Sequence, residues 1–247
     1  MLNISDLSNQ TVLVTGANGN LGRAIAKMFV DSGARVFAHA RTEVGARAVA
    51  EEIGATPLWS DLSGQGACAA LIAAVSAHGV RLTGLINCAA LQPVVPFNEL
   101  DVKTWEELFH VNVTVVHELS RRAAERMSQG AWITHIASVE ALRPAIGHSY
   151  YASAKAAVVM HAQALALELG AQGVRVNAVS PGLIERPGIA AEWSEGVSRW
   201  EANAPLKRLV QPQEVAAACV MLASPFAAAI TGHNLVVDAG MTVTPGW

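Results

Sequence analysis

The sequence predicts a single doubly wound α/β domain over residues 1–247, with a seven-stranded, mainly parallel sheet flanked by helices. Three observations lead there. Short β-branched runs alternate with longer helical stretches along the whole chain. The strand candidates are near-continuous apolar runs, as expected for strands buried on both faces. No linker, repeat or charge block divides the 247 residues, and a chain of this size buries roughly 70–75% of its unfolded surface as one unit.

Residues 11–15 form the first apolar run and stop at Gly16. Leu21, Ile25, Met28 and Phe29 then recur at helical spacing until Ser32-Gly33. Residues 35–38 are the second strand, 43–53 a helix ended by Gly54, and 57–59 a short third strand stopped by Asp61. Residues 67–77 are an Ala-rich helix and 84–88 the fourth strand. A long amphipathic stretch covers 101–126, mildly broken at Val111-Asn112-Val113. Strand 132–136, helix 151–169, strand 174–179, helix 213–223 and strand 235–237 follow. Strands separated by helices pair in parallel through right-handed crossovers. In such a sheet, ligands bind beyond the carboxyl ends of the strands.

Composition narrows the function. Apolar residues make up 52% of the chain and charged residues 15%, and the net charge is −3. A basic nucleic-acid face is therefore not expected. No apolar run approaches the roughly 18 residues of a membrane span. Residues 1–6 have neither the basic nor the apolar region of a secretory leader, so a cytoplasmic location is expected. Cys68, Cys88 and Cys219 form no CxxC pair and read as reduced core residues. The eight histidines lack metal-binding spacing, so no metal site is expected.

Thr15-Gly16-Ala17-Asn18-Gly19-Asn20-Leu21-Gly22 lies between the first strand and the first helix. A diphosphate needs free N–H groups at a helix N-terminus and residues without Cβ where the backbone comes close. Gly16, Gly19 and Gly22 meet both needs, which points to dinucleotide binding over an ordinary Gly-rich turn. At the end of the second strand stands Arg41, with no carboxylate before Glu43. That favours NADP(H), with NAD(H) possible, and His39 and Thr42 are further donors for a 2′-phosphate. Asp61 reads equally well as an acceptor for the adenine amine and as a cap of the following turn.

Tyr151 and Lys155 stand four apart on one helix face. A phenol with an unperturbed pKa near 10 is a poor base at neutral pH, and a neighbouring ammonium favours its ionised form. Ser138, just beyond the strand 132–136, is placed to hold a substrate oxygen beside that phenol.

With these motifs in order, the chain resembles the short-chain dehydrogenase/reductase family, in its single-domain branch of Rossmann type. The resemblance covers essentially the whole chain. Its further marks are Asn87-Cys88-Ala89-Ala90 after the fourth strand, Asn112 in mid-helix, Arg175-Val176-Asn177 running to Pro181-Gly182, and Thr231-Gly232 with Val237-Asp238-Ala239-Gly240. It implies that Tyr151 is the general acid/base and that Lys155 lowers its pKa and holds the nicotinamide ribose. It implies that Ser138 orients the substrate and that Asn112 holds a relaying water. Asn87, Ala89, Leu62, Pro181, Gly182 and Ile184 are implied around the cofactor, beside Gly16, Asn18, Asn20 and Leu21. A homotetramer packed through the two long helices is also implied.

Three positions depart from the family pattern. Asn20 stands at the usual middle glycine, Gly19 at a position often basic in NADP-binding members, and Arg186 at a usual Thr. Residues 183–206 are expected to form a lid over the site. Its Arg186 and Trp193, with Gln92, Glu140 and His148, point to a small hydroxylated or anionic substrate. Two alternatives stand beside that reading: a 3-oxoacyl-thioester reductase and a non-catalytic nucleotide-binding protein.

Overall fold

A computed structural model describes residues 6–244, so the segment 1–5, used above against a leader, lies outside them. The strands are β1 (Thr11–Val14), β2 (Arg35–Ala40), β3 (Thr56–Trp59), β4 (Gly84–Asn87), β5 (Trp132–Ile136), β6 (Arg175–Pro181) and β7 (Asn234–Val237). They form one sheet in the order β3-β2-β1-β4-β5-β6-β7. All six pairings are parallel. The strand order reverses between β1 and β4, and in sheets of this kind ligands bind beyond the carboxyl ends at that point.

Side-chain parity splits the core in two. Helices α1 (Asn20–Asp31), α2 (Glu43–Ile53) and α9 (Pro212–Ala223) cover the face that carries Val12, Val14, Val36 and Trp132. Helices α3 (Ala67–Ala77), α5 (Val115–Ala124) and α6 (Ser149–Leu169) cover the face that carries Leu13, Phe37, Leu85 and Ile133. Trp132 stacks on Phe29 at 5.4 Å, and its ring crosses β4 where only Gly84 fits: a Cβ there would lie 2.2 Å from the indole.

The expected mild break in the long amphipathic stretch is a π-helical segment at His110–Thr114, between α4 (Val102–Phe109) and α5. Beyond β6, the short α7 (Ile189–Glu192) and α8 (Ser194–Asn203) fill most of residues 183–206. No helix among the described residues is long and apolar enough to cross a membrane. On α6, Val158 and Ala162 are buried in the protein's own core, while Ala156 and Ala164 are exposed beside Met160 and Leu167.

The Arg175 side chain ties the last helix to the sheet, and that of Asn177 ties down the connection that follows it. The Arg175 guanidinium donates to the carbonyls of Leu222 at 2.6 Å and Ala223 at 3.4 Å, the unpaired end of α9. Asn177 donates to Ile230 O and accepts from His233 N. Arg175→Ala leaves those helix-end carbonyls without a donor, and a loss of about 2–3 kcal/mol is expected in urea unfolding. A loss under about 0.5 kcal/mol, the range of an ordinary surface change, would remove the cap from the account.

Candidate active site

The glycine loop and the segment after β4 are clamped together by Thr15. Its hydroxyl accepts from the N–H groups of Cys88 and Ala89 at 3.0 and 3.1 Å and donates to Ile86 O at 3.2 Å. Gly16, at φ +67°, lies so close that a Cβ would stand 2.9 Å from Ala89 Cα. A Cβ on Gly22 would stand 2.2 Å from Gly16 O, whereas one on Gly19 would meet nothing nearer than 3.4 Å. The first two glycines are therefore needed for packing, and Gly19 leaves the mouth of α1 open. That mouth has no capping side chain and no acidic residue in its first turn. Its free N–H groups and exposed Asn18 and Asn20 fit a diphosphate. Asn20 also donates from Nδ2 to Glu185 O at 2.9 Å, joining the loop to the start of residues 183–206.

The nucleotide-end residues divide. Arg41 is exposed and has no ion pair among the described residues, and its charge helps lower the pKa of Asp61. The main cause of that lowering is Ser63, whose hydroxyl and N–H both donate to Asp61, so the turn-capping reading of Asp61 holds at least in part. His39 corrects an expectation. It is 2% exposed, bonded through Nε2 to Ser60, and burial lowers its pKa to about 4. It is a neutral interior ring and not a phosphate donor. Thr42 is committed to capping α2 through Gly45 N. Leu62 is buried in the core and offers a ligand only its backbone.

Asn87 is a second correction, because its side chain points into the fold. Its Nδ2 donates to Ser120 Oγ and to His135 Nδ1, both at 3.1 Å. Ser120 gives its own proton to Val116 O, so its oxygen must accept, which fixes the amide orientation. His135 Nδ1 then accepts, and its Nε2–H faces His161 Nδ1 at 3.1 Å. His161 Nε2–H in turn faces His117 Nδ1 at 3.2 Å. His135 and His161 therefore carry the proton on Nε2. Burial holds His135 down to about 3 and lowers His161 as well. Histidine spacing in the sequence concealed this chain, which exists only because β5, α6 and α5 are spatial neighbours.

Ser138, Tyr151 and Lys155 do converge at the carboxyl end of β5. Ser138 Oγ accepts from Glu140 N at 3.1 Å, and its hydroxyl acts to lower the pKa of the neighbouring phenol. Lys155 Nζ lies 5.6 Å from the Tyr151 ring centroid and donates to Ile136 O at 2.7 Å, not to the phenol. Burial and then the Glu140 charge push the phenol pKa up, against the lowering from Ser138. The acidification expected from the amine is absent, and burial sets the sign of the shift. Burial also lowers Lys155, to about 8. Asn112, inside the π-helical segment, binds Leu91 N and Leu91 O with its amide at 2.8 Å each, so its side chain positions the loop after β4.

Among the candidate substrate residues, Glu140 and His148 form a pair at 2.8 Å beside Tyr151. Arg186 is ion-paired with Glu192 at 2.6 Å within residues 183–206. Trp193 is 54% exposed and packs on Gly196, where a Cβ would stand 2.0 Å from the indole. Gln92 is exposed on the loop after β4. Neither the pairing of Glu140 with His148 nor that of Arg186 with Glu192 is visible in sequence spacing.

A doubly wound sheet with a glycine loop at its switch point and a serine, phenol and amine beyond β5 defines a class of nucleotide-dependent oxidoreductase. The profile of the family described as Enoyl-(Acyl carrier protein) reductase matches residues 16–242. A 3-oxoacyl-[acyl-carrier-protein] reductase, FabG, from Vibrio harveyi is 32% identical over 240 residues, 96% of this chain and 98% of that one. The crystal structure of a short-chain dehydrogenase/reductase described as glucose/ribitol dehydrogenase, from Brucella melitensis, superposes with TM-score 0.91 at 31% identity, covering 96% and 98% of the two chains. A short chain dehydrogenase from Burkholderia cenocepacia J2315, in complex with NADP, superposes with TM-score 0.89 at 28% identity, covering 96% and 99%. The chain belongs to the short-chain dehydrogenase/reductase family. It is an oxidoreductase acting on CH–OH/C=O groups.

Proposed function

We propose that the protein interconverts a small polar carbonyl compound and its secondary alcohol with NADP(H), using Tyr151 as general acid/base. The observation that carries this is the placement of Ser138, Tyr151 and Lys155 at one strand end, next to the open mouth of α1. Gly16, Asn18, Asn20 and Leu21 would hold the diphosphate. Arg41 and Asp61 would hold the adenosine end. The backbones of Leu62, Asn87, Ala89, Pro181, Gly182 and Ile184 would line the rest, and Tyr151 and Lys155 would hold the nicotinamide ribose. When bound, the nicotinamide supplies or accepts the hydride. Ser138 orients the substrate oxygen, and the Tyr151 hydroxyl gives it a proton in reduction and removes one in oxidation. Because the Asn112 amide is committed to Leu91, any water it holds for Lys155 would rest on its backbone carbonyl. Residues 183–206 serve as the lid. The exposed strip of α6 at Ala156, Met160, Ala164 and Leu167 supports a homotetramer through the long helices, in the cytoplasm.

The test is Tyr151→Phe assayed with NADPH on a panel of small polar ketones, where unchanged turnover removes the phenol from the mechanism. Arg41 carries the cofactor preference. A charged hydrogen bond to the 2′-phosphate is worth about 1.5–3 kcal/mol. Arg41→Ala should therefore cut the NADPH/NADH ratio of kcat/KM by about tenfold to a hundredfold. A wild-type enzyme that prefers NADH would overturn that assignment. The Vibrio relative supports a second reading, reduction of 3-oxoacyl thioesters. The polar Glu140–His148 wall favours the first, and faster turnover of acetoacetyl-CoA than of any polar ketone would reverse the choice.

A further inference from the structure

Resting on the reading of Tyr151 above, we infer that Glu140 and His148 form a hydrogen-bond-accepting dyad that selects substrates with a second hydroxyl beside the reacting carbinol, a vicinal diol or polyol. His148 immediately precedes α6 and stands three residues before Tyr151, so the two share a face. Their rings meet edge to face, with centroids 5.9 Å apart and planes at 66°. Glu140 lies in the turn that follows Ser138 and is held there by the bond from its N–H to Ser138 Oγ. The dyad and the reacting oxygen are therefore built on the same two short segments.

The Glu140 carboxylate accepts the Nδ1–H of His148 through both oxygens, at 2.8 and 3.0 Å, and the two side chains are 14% and 15% exposed. With Nδ1 as donor, the neutral ring has its lone pair on Nε2. The carboxylate behind the ring fixes that tautomer. Nε2 has no partner among the described residues. It is also not sealed: the buried side-chain atoms without a partner are His39 Nδ1 and Asn87 Oδ1. An unsealed acceptor on a ring that packs against the phenol is placed to take a donor from a ligand held there. A second hydroxyl supplies one, whereas a carboxylate or a simple ketone does not. A substrate lacking that hydroxyl leaves the acceptor unpaired, the situation in which binding sites discriminate most strongly.

The experiment compares cis-1,2-cyclohexanediol with cyclohexanol, and meso-2,3-butanediol with 2-butanol, as substrates for oxidation with NADP+. Wild-type protein should prefer the diol of each pair. His148→Phe keeps an aromatic ring against Tyr151 and removes the acceptor. The diol/mono-alcohol ratio of kcat/KM should then fall about tenfold or more, as for a lost hydrogen bond in a desolvated pocket. His148→Gln, which retains an acceptor oxygen, should recover part of the ratio. A ratio unchanged in His148→Phe, or a wild type without preference for the diol in either pair, overturns the inference and marks the pair as a brace for residues 142–147. Neither result touches the role of the phenol, which Tyr151→Phe tests separately.

Discussion

Tyr151→Phe is expected to lower kcat for carbonyl reduction by about 10³-fold while the fold is retained, since a positioned general acid contributes roughly 10²–10⁴. The ring itself is structural. It packs with Leu108, Tyr150 and Ala154, and phenylalanine keeps those contacts. The phenol makes no hydrogen bond that the fold depends on, so the midpoint of urea unfolding should move by less than about 1 kcal/mol. The raised phenol pKa also sets the pH dependence. The hydroxyl stays protonated through neutral pH, ready to donate in reduction. In oxidation the phenolate is the active form, so the oxidation rate should climb as pH rises from 6 toward 8, where Lys155 begins to lose its charge. A Tyr151→Phe variant within tenfold of wild type, or a flat oxidation profile, would contradict the assignment.

The second large effect is acid lability. His39 and His135 are buried as neutral rings with pKa values of about 4 and about 3, because burial disfavours their charged forms. In the unfolded chain a histidine titrates near 6.5. Between those values the unfolded chain binds more protons than the folded one, so stability rises with pH and is lost on acidification below about 6.5. With two such groups, unfolding at pH 5 should be easier than at pH 7 by about 3–4 kcal/mol. Urea titrations at the two pH values measure this directly. His135→Leu should flatten the slope even if its own stability at pH 7 is reduced by the loss of the bonds to Asn87 and His161. Equal stability at pH 5 and pH 7 would mean that the rings are not held neutral.

Much of this architecture was legible in the residues. The seven strands, the placement of the glycine loop and the convergence of Ser138 with Tyr151 follow from apolar runs, turn residues and the rule for strand ends. What sequence could not supply was direction. In β2 both faces are buried, so alternation did not show that His39 turns inward while Arg41, two residues on, reaches solvent. Asn87 stands at the end of β4 as expected, yet its amide faces Ser120 and His135, partners 33 and 48 residues away. The break around Asn112 was visible as β-branched residues within a helix. That it is a π-helical segment, and that its Asn112 amide pairs with Leu91 on the loop after β4, had no signal in the sequence spacing. The sign of the Tyr151 shift was missed for the same reason, since a count of nearby charges omits the cost of taking a phenolate out of water.

The indole of Trp132, 1% exposed and stacked on Phe29, and that of Trp193, more than half exposed on the segment beyond β6, occupy opposite extremes of environment. Their fluorescence should differ accordingly, blue-shifted for the first and red-shifted for the second. Trp59 and Trp105 are exposed as well, so the red component is shared, whereas the blue component belongs to Trp132 and reports on the integrity of the sheet. Emission therefore carries a built-in optical signal for unfolding of the sheet, without any label added.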